Sequence, residues 1–159
     1  MQNHHLKTGF VGTPYLCRVL SENGNNDLSY TLPLNKDYPS WLYAVTMRAT
    51  TIFERWNSVL PDGKIRGTDM NSLNHYAYGS IEEWMYRNVA GINPVEEKPG
   101  FRQVRLAPKP DYRLKHVKAT LNPAAGLYES QWELNDEGQL KFKFLIPFNT
   151  ATTVELPDA

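Results

Sequence analysis

The 159-residue chain has the length of one ordinary domain or two small ones, and its 41% hydrophobic and 12% aromatic residues are enough to build a core. Seventeen basic residues balance seventeen acidic ones, so the formal net charge at pH 7 is zero. This balance leaves no electrostatic footprint for a polyanion, and we therefore expect no nucleic-acid partner and no membrane partner.

The chain starts with MQNHHLKTGF, which contains no hydrophobic stretch of the kind that a signal peptide carries. No apolar run in the chain reaches the roughly 18 residues of a membrane span. We therefore expect a soluble protein, whose compartment the sequence does not encode. Because the sequence begins abruptly, we also expect the natural N-terminus to lie further upstream.

The chain contains one cysteine, Cys17, and four histidines. A single cysteine excludes an internal disulfide, and no Cys/His pattern for a metal is present. We expect no metal and no cofactor, and we expect Cys17 to act as a small buried hydrophobe.

Short helices separated by glycine and proline are predicted from about residue 8 to residue 92. The first begins with Thr13 as its N-cap and stops at Gly24. The second begins with Asp27 as its cap and is short or bent, because Pro33 interrupts it.

A third helical segment follows the letters YPS and runs towards Met47. Residues 49–56, ATTIFERW, contain β-branched residues that disfavour a helix, so we predict an extended loop there. The following NSVLPDGKIRG contains proline, aspartate and glycine and is predicted to be a turn-rich loop. After it, apolar side chains recur at helical spacing from Leu73 to Asn88, which predicts a further helix.

The pattern changes near Pro99, and the residues after Gly100 alternate as strands do. Half-buried antiparallel strands are predicted for LKHVKATL, GLYESQWEL, QLKFKFLIP and TATTVEL, with a hairpin turn at NDEGQ. We therefore predict an α+β chain with a helical domain over residues 1–98 and a β domain over residues 99–159. Because each part is thin on its own, we expect the chain to be a piece of a larger protein.

The carboxylate of Glu54 stands in an apolar and hydroxylic run, between Phe53 and Arg55. Burying an unpaired carboxylate costs several kcal/mol. Glu54 is therefore either held in an ion pair, by Arg55 or another arginine, or kept near a wet cavity for chemistry.

A second polar group, residues 71–76, contains Asn74 and His75, and loops at the ends of packed helices are where helical barrels keep their sites. His75 alone is also compatible with a hydrogen-bonded structural histidine. Aromatic residues are concentrated around both polar groups, and sugar rings stack on aromatic side chains. For Trp41 and Trp56, a core position and a sugar contact both remain open.

Four stretches resemble, in this order, the C-terminal part of the bacterial α-L-rhamnosidases of glycoside hydrolase family 78: TGFVGTPYL, YPSWLYAVTMRATTIFERWNS, MNSLNHYAYGSIEEWMYRNVAGI and KPGFRQVRLAP. The resemblance covers about residues 4–157. It implies that the chain contains the last helices of an (α/α)6 barrel followed by an antiparallel β-sandwich. It also implies inverting hydrolysis of terminal α-L-rhamnosides, with rhamnose-containing glycosides as substrates.

The resemblance implies roles for particular residues. The glutamate of the family's TTIWERW matches Glu54 and acts there as the general base, and the histidine of NHYAYG matches His75 and lines the rhamnose pocket. Trp56 and Asn74 are expected to contact the substrate as well. An inverting glycosidase holds its base about 6.5–9.5 Å from its acid, with room for a water between them.

The chain departs from the family pattern at Phe53, where the family has a tryptophan, and at Pro33, where the family runs leucines. The general acid of the family lies upstream of the segments that this chain matches. We therefore expect the isolated chain to be inactive, with the N-terminal part of the catalytic domain as its missing partner.

Two other interpretations compete with this one. In the first, the chain is a non-catalytic carbohydrate-binding or structural module. In the second, the chain is an assembly piece whose exposed helical face pairs with a second copy or with the missing half of the barrel. We expect a homo-oligomer, because the apolar faces around Leu42, Val45, Ile81 and Met85 lack their neighbours.

Overall fold

The computed structural model describes residues 5–157, so the outer ends of the two predicted domains, residues 1–4 and 158–159, lie outside the described part. The chain divides into two compact units, of which the first ends at Glu82 and the second begins at Glu83. The domain division expected at residues 98 and 99 stays a prediction. No helix between residues 5 and 157 combines the length and the apolar character of a membrane span.

The first unit begins with helix α1 (Thr13–Glu22). Its N-cap is Gly12, so the prediction that Thr13 caps the helix is wrong. Thr13 already lies inside the helix, and its hydroxyl donates to the carbonyl oxygen of Gly9 at 2.9 Å. The helix stops before Gly24, as predicted. This glycine has a φ of +76°, and a right-handed helix cannot continue through a residue in that conformation.

Helix α2 (Asn26–Leu34) follows after a short turn. Its cap is Asn25, and Asp27 lies in the first turn, so the predicted cap at Asp27 is wrong. Pro33 lies inside the helix and lacks the backbone donor that would continue the ladder; α2 ends one residue later and is short, as expected.

The contact between α1 and α2 buries small and polar side chains. Ser21 of α1 donates a buried hydrogen bond of 2.9 Å to the hydroxyl of Ser29 of α2. Cys17 is 1% exposed and behaves as the buried hydrophobe that the sequence predicts. Burial raises the pKa of its thiol to about 12, so the thiolate is absent at neutral pH.

Helix α3 (Trp41–Thr46) is capped by Ser40, whose hydroxyl oxygen accepts from the backbone N–H of Tyr43 at 3.0 Å. Residues 49–56 then form a loop without regular structure, as predicted. The turn-rich segment that follows closes with an antiparallel bridge between Val59 and Ile65.

A composite helix ends the helical part: a 3-10 turn (Ala77–Ser80), α4 (Ile81–Trp84) and a π turn (Met85–Val89). The prediction that this helix includes Leu73 is wrong. The backbone N–H of Ser72 donates to a side chain and that of His75 to a distant carbonyl, so these two donors do not take part in a helical ladder.

Two three-stranded sheets form the rest of the second unit. The first has the order β1 (Ile92–Pro94), β2 (Gln103–Leu106), β6 (Ala151–Val154), and the second the order β3 (His116–Leu121), β4 (Tyr128–Leu134), β5 (Leu140–Leu145). All pairs are antiparallel except β2 with β6, which is parallel and corrects the expectation of an all-antiparallel domain. Strand β1 also corrects the helical prediction, which ran to Ile92.

The hairpin turn predicted between β4 and β5 is confirmed. The backbone N–H of Asn135 donates to the carbonyl oxygen of Gln139 at 3.0 Å. The side-chain oxygen of Asn135 accepts from the N–H groups of Glu137 and Gln139 in the same turn. A short polar side chain that bonds its own backbone is typical of such turns.

The core of the second unit lies between its two sheets. Its fully buried apolar members come from both sheets and from the end of the π turn: Ala90, Ile92, Val104, Leu106 and Tyr128. Partly buried side chains of β3 and β5, among them Val117 and Phe144, pack against this cluster. The two sheets therefore form a small sandwich, as the α+β prediction requires.

Strand β4 is also tied to the π turn. The indole N–H of Trp132 donates to the carbonyl oxygen of Val89 at 2.8 Å, and the hydroxyl of Ser130 donates to that of Ala90. Both side chains are 0% exposed, and buried polar groups need hydrogen-bond partners. Each bond provides a partner for the buried donor and for a carbonyl oxygen that the end of the helix leaves unpaired.

Candidate active site

Two loops of the first unit lie side by side and carry the predicted site residues. We call them the Glu54 loop (residues 49–57) and the His75 loop (residues 69–76). Four hydrogen bonds join them. Three have backbone carbonyl acceptors: Glu54 N–H to Ser72 O at 2.9 Å, His75 N–H to Ile52 O at 2.8 Å, and the Thr51 hydroxyl to Leu73 O at 2.5 Å. In the fourth, the Ser72 N–H donates to the Glu54 side chain. The two polar groups that the sequence singled out therefore meet.

The Glu54 side chain is half-buried, and its Oε2 accepts from the backbone N–H of Ser72 at 2.6 Å. Its Oε1 has no hydrogen-bond partner within residues 5–157. Over the same residues Glu54 makes no ion pair, with Arg55 or with any other cation. The structural ion pair that remained open as an interpretation of Glu54 is therefore absent from the described part of the chain.

Arg55 instead lines a cavity of about 280 Å³ together with Phe53, Trp41 and Tyr78. Glu54 does not line this cavity. The carboxylate of Glu54 instead contacts the His75 loop, through the backbone N–H of Ser72. Although Glu54 and Arg55 are neighbours in sequence, the carboxylate and the guanidinium therefore have different surroundings.

His75 lies between two aromatic rings. Its imidazole stacks on Phe10 with ring centroids 5.0 Å apart and on Tyr76 with centroids 5.1 Å apart. Its Nδ1 accepts from the backbone N–H of Ala77 at 3.2 Å. In the neutral ring the proton must then be on Nε2, which is left as a hydrogen-bond donor.

Trp56 is held firmly by its neighbours. Its indole N–H donates to the carbonyl oxygen of Thr8 at 2.8 Å, and its ring stacks on Tyr78 with centroids 3.9 Å apart. Trp41 meets it edge-on at 4.8 Å. Burial raises the pKa of the Tyr78 hydroxyl, which stays protonated and points to the same Thr8 carbonyl at 3.5 Å. These contacts give Trp56 a packing role, and its contact with a sugar stays a prediction.

Asn74 is exposed, and its side-chain amide has no hydrogen-bond partner within residues 5–157. Its backbone is fixed, because its N–H donates to the hydroxyl oxygen of Ser72 at 3.1 Å. Asn74 therefore offers a free amide on the His75 loop. Its predicted contact with substrate stays a prediction.

Sequence reasoning missed three members of this arrangement. Ser72 and Asn71 were visible only as members of a polar group, because their roles depend on backbone contacts across the two loops. Phe10, which stacks on His75, lies 65 positions away in the chain, and only its place in the TGFVGTPYL stretch marked it.

Comparison with known proteins identifies the family. The family model of the bacterial alpha-L-rhamnosidase 6 hairpin glycosidase domain matches residues 1–89, and that of the bacterial alpha-L-rhamnosidase C-terminal domain matches residues 91–159. The chain belongs to the bacterial alpha-L-rhamnosidase family.

Curated relatives include an alpha-L-rhamnosidase of Formosa agariphila, 45% identical over 155 residues, and one of Streptomyces avermitilis, 41% identical over 153 residues. These alignments cover 98% and 96% of this chain, and 16% and 15% of the relatives. The chain therefore spans about one sixth of the length of the proteins that it matches.

Solved structures agree with this assignment. The alpha-L-rhamnosidase of Streptomyces avermitilis complexed with L-rhamnose is 41% identical and matches 95% of this chain with a TM-score of 0.89, over 14% of its own length. The native enzyme of Aspergillus terreus is 35% identical and matches 98% of this chain with a TM-score of 0.92, over 18% of its own length.

Proposed function

We propose that this chain is the C-terminal part of an inverting α-L-rhamnosidase that releases terminal α-L-rhamnose from rhamnosides. Glu54 is its general base, and the general acid lies in an upstream part of the barrel. The names of the relatives and the rhamnose complex of one of them support this class of substrate.

The geometry of Glu54 is the observation that carries the proposal. A general base must keep a fixed orientation and an accessible oxygen. The Ser72 N–H fixes one carboxylate oxygen of Glu54 at 2.6 Å, and the other oxygen has no partner within residues 5–157. A glutamate that served only as an ion-pair partner would be placed beside a cation.

The reaction that follows is a single displacement. The free oxygen of Glu54 takes a proton from a water molecule while the oxygen of that water forms a bond to the anomeric carbon. The glycosidic C–O bond breaks, and the leaving oxygen takes a proton from the upstream acid. The products are β-L-rhamnose and the free alcohol, with the configuration at the anomeric carbon inverted.

The remaining candidate residues bind the sugar in this proposal. His75 donates from Nε2 to a rhamnose hydroxyl, because its Nδ1 is already engaged by the Ala77 N–H. The free amide of Asn74 bonds a second hydroxyl, and Trp56 shapes the wall behind the base.

Replacing Glu54 by glutamine in the full-length enzyme tests the assignment. Glutamine keeps the shape and the acceptor for the Ser72 N–H but takes no proton from water, so kcat on an aryl α-L-rhamnoside should fall by about 10²–10⁴-fold. The dissociation constant of rhamnose, measured by calorimetry, should change less than about threefold.

The matched control is Glu22→Gln, which removes an exposed carboxylate that pairs with Arg18 on α1 and should leave kcat unchanged. Proton NMR of the first product formed by the unaltered enzyme should show β-L-rhamnose. Near-normal turnover of the Glu54→Gln enzyme, or α-L-rhamnose as the first product, would require withdrawal of the proposed role of Glu54.

A further inference from the structure

The Ser72 N–H that holds Glu54 belongs to a loop that one side chain ties down. The amide nitrogen of Asn71 donates to the carbonyl oxygens of Arg66 at 2.9 Å and Gly67 at 3.1 Å, and more weakly to that of Ser58 at 3.4 Å. All three partners are acceptors, so this atom must be the nitrogen of the amide. Asn71 thus joins the His75 loop to the turn formed by residues 58–67.

The turn of residues 58–67 is itself well fixed. Val59 and Ile65 form an antiparallel bridge, and the N–H of Arg66 donates to the carbonyl oxygen of Ser58 at 3.0 Å. Ser58 is 0% exposed, and its hydroxyl oxygen accepts from the N–H of Arg55 at 3.1 Å. Through Ser58, the turn is therefore bonded both to Asn71 and to Arg55, the residue next to Glu54.

The backbone just before Asn71 has an unfavourable conformation that surrounding contacts must hold. Met70 has a φ of +46°, in the left-handed region that costs a residue other than glycine about 1–2 kcal/mol. Its side chain is 77% exposed, so packing of that side chain does not hold the conformation. The hydrogen bonds of the neighbouring Asn71 amide fix the backbone directly after Met70.

We propose that Asn71 is a positioning residue for Glu54. By tying the His75 loop to the turn of residues 58–67, its amide fixes the Ser72 N–H, and this N–H fixes the orientation of the Glu54 carboxylate towards the attacking water. The inference rests on the proposed role of Glu54 as general base and adds the residue that orients its carboxylate.

The test replaces Asn71 by alanine, and separately by aspartate, in a full-length enzyme that includes this chain. Alanine removes the donor, and aspartate keeps the shape but turns an oxygen towards three carbonyl oxygens. Because a base misplaced by about 1 Å loses about 10²-fold in rate, kcat on 4-nitrophenyl α-L-rhamnoside should fall about 10–100-fold in both variants. KM should stay within about twofold, since the sugar-binding side chains are unchanged.

Asn25→Ala is the matched control. The Asn25 amide also bonds a backbone carbonyl, that of Asn23 at 3.0 Å, but in the turn between α1 and α2. Its kcat and KM should equal those of the unaltered enzyme. Normal kcat in both Asn71 variants, or an aspartate variant as active as the unaltered enzyme, would overturn the proposal.

A double substitution separates positioning from general loosening. If Asn71 acts through Glu54, adding Asn71→Ala to the Glu54→Gln enzyme should lower kcat by less than about twofold further. A further fall of tenfold or more would show that Asn71 acts elsewhere and would overturn the proposal. If instead Glu54→Gln alone kept normal turnover, the proposed function itself would fail.

Hydrogen exchange gives a second measurement, which applies even if the alanine variant is too unstable to assay. In the milder Asn71→Ser variant, the amides of Ser72 and Glu54 should exchange at least about tenfold faster, while the amides of α1 exchange as before. Unchanged protection at Ser72, or equal acceleration along α1, contradicts a role confined to the two loops.

Discussion

At the scale of single residues, the site shows why neighbours in sequence are poor guides to partners in a loop. Glu54 stands beside Arg55, yet it bonds Ser72, eighteen positions further along the chain, while Arg55 lines a cavity that Glu54 does not line. The resemblance singled out Glu54 from the sequence alone. The choice between an ion pair and a free carboxylate depended on a backbone contact that no local pattern encodes.

His75 gives a prediction at the same scale. Replacing His75 by alanine in the full-length enzyme removes the Nε2 donor, and one hydrogen bond to a neutral partner contributes about 0.5–1.5 kcal/mol. KM for an aryl rhamnoside should therefore rise about three- to tenfold, with a smaller change in kcat, in steady-state assays.

His116→Ala is its control, because His116 is an exposed residue of β3 and should leave both constants unchanged. A His75→Ala enzyme that lost kcat by orders of magnitude at unchanged KM would make His75 part of the chemistry and not of sugar binding.

At the scale of elements, periodicity predicted well where one face of an element packs on the core and the other faces solvent. Strands β3 to β5 and their hairpin turn lie where alternation placed them, because each has one face on the core. Periodicity was wrong near Leu73, where the backbone bonds another loop. It also missed that β6 pairs in parallel with β2, since pairing direction depends on the path of the chain and not on residue alternation.

The junction between the π turn and β1 gives a prediction for an element. Gly91 has a φ of +76°, and a Cβ built on it would lie 2.1 Å from the backbone nitrogen of Pro108. Backbone cannot move aside as a side chain does, so Gly91→Ala should lower the free energy of unfolding by more than about 4 kcal/mol. Urea unfolding followed by circular dichroism measures the loss.

Gly138 separates the steric clash from the backbone strain. It lies in the same unit with a φ of +80°, but a Cβ added to it would meet no atom within 4 Å. Gly138→Ala should therefore lower the free energy of unfolding by only about 1–2 kcal/mol, the cost of a left-handed alanine. Equal losses in the two variants would mean that the approach of Pro108 to Gly91 does not matter.

At the scale of the whole molecule, the first unit exposes apolar side chains at regular spacing along α1. Tyr15 and Val19 are four residues apart in α1, so they share one face of the helix, and they are 61% and 51% exposed. Val11, just before the helix, is 86% exposed. Of the residues expected to mediate association, Val45 is 60% and Met85 43% exposed. Association with a second copy stays a prediction, as does association with the upstream part of the barrel.

The short span of the chain leads to the last prediction. The relatives are about six times longer, and in the proposed mechanism the general acid belongs to their upstream part. The isolated chain of 159 residues should therefore hydrolyse 4-nitrophenyl α-L-rhamnoside no faster than the buffer blank, because a base without its acid and without a complete sugar pocket cannot complete the displacement. Circular dichroism on the same sample establishes that the chain is folded during the assay. If the folded chain released nitrophenol above the blank, and Glu54→Gln abolished that release, the chain would contain its own acid and the upstream position of the acid would be wrong.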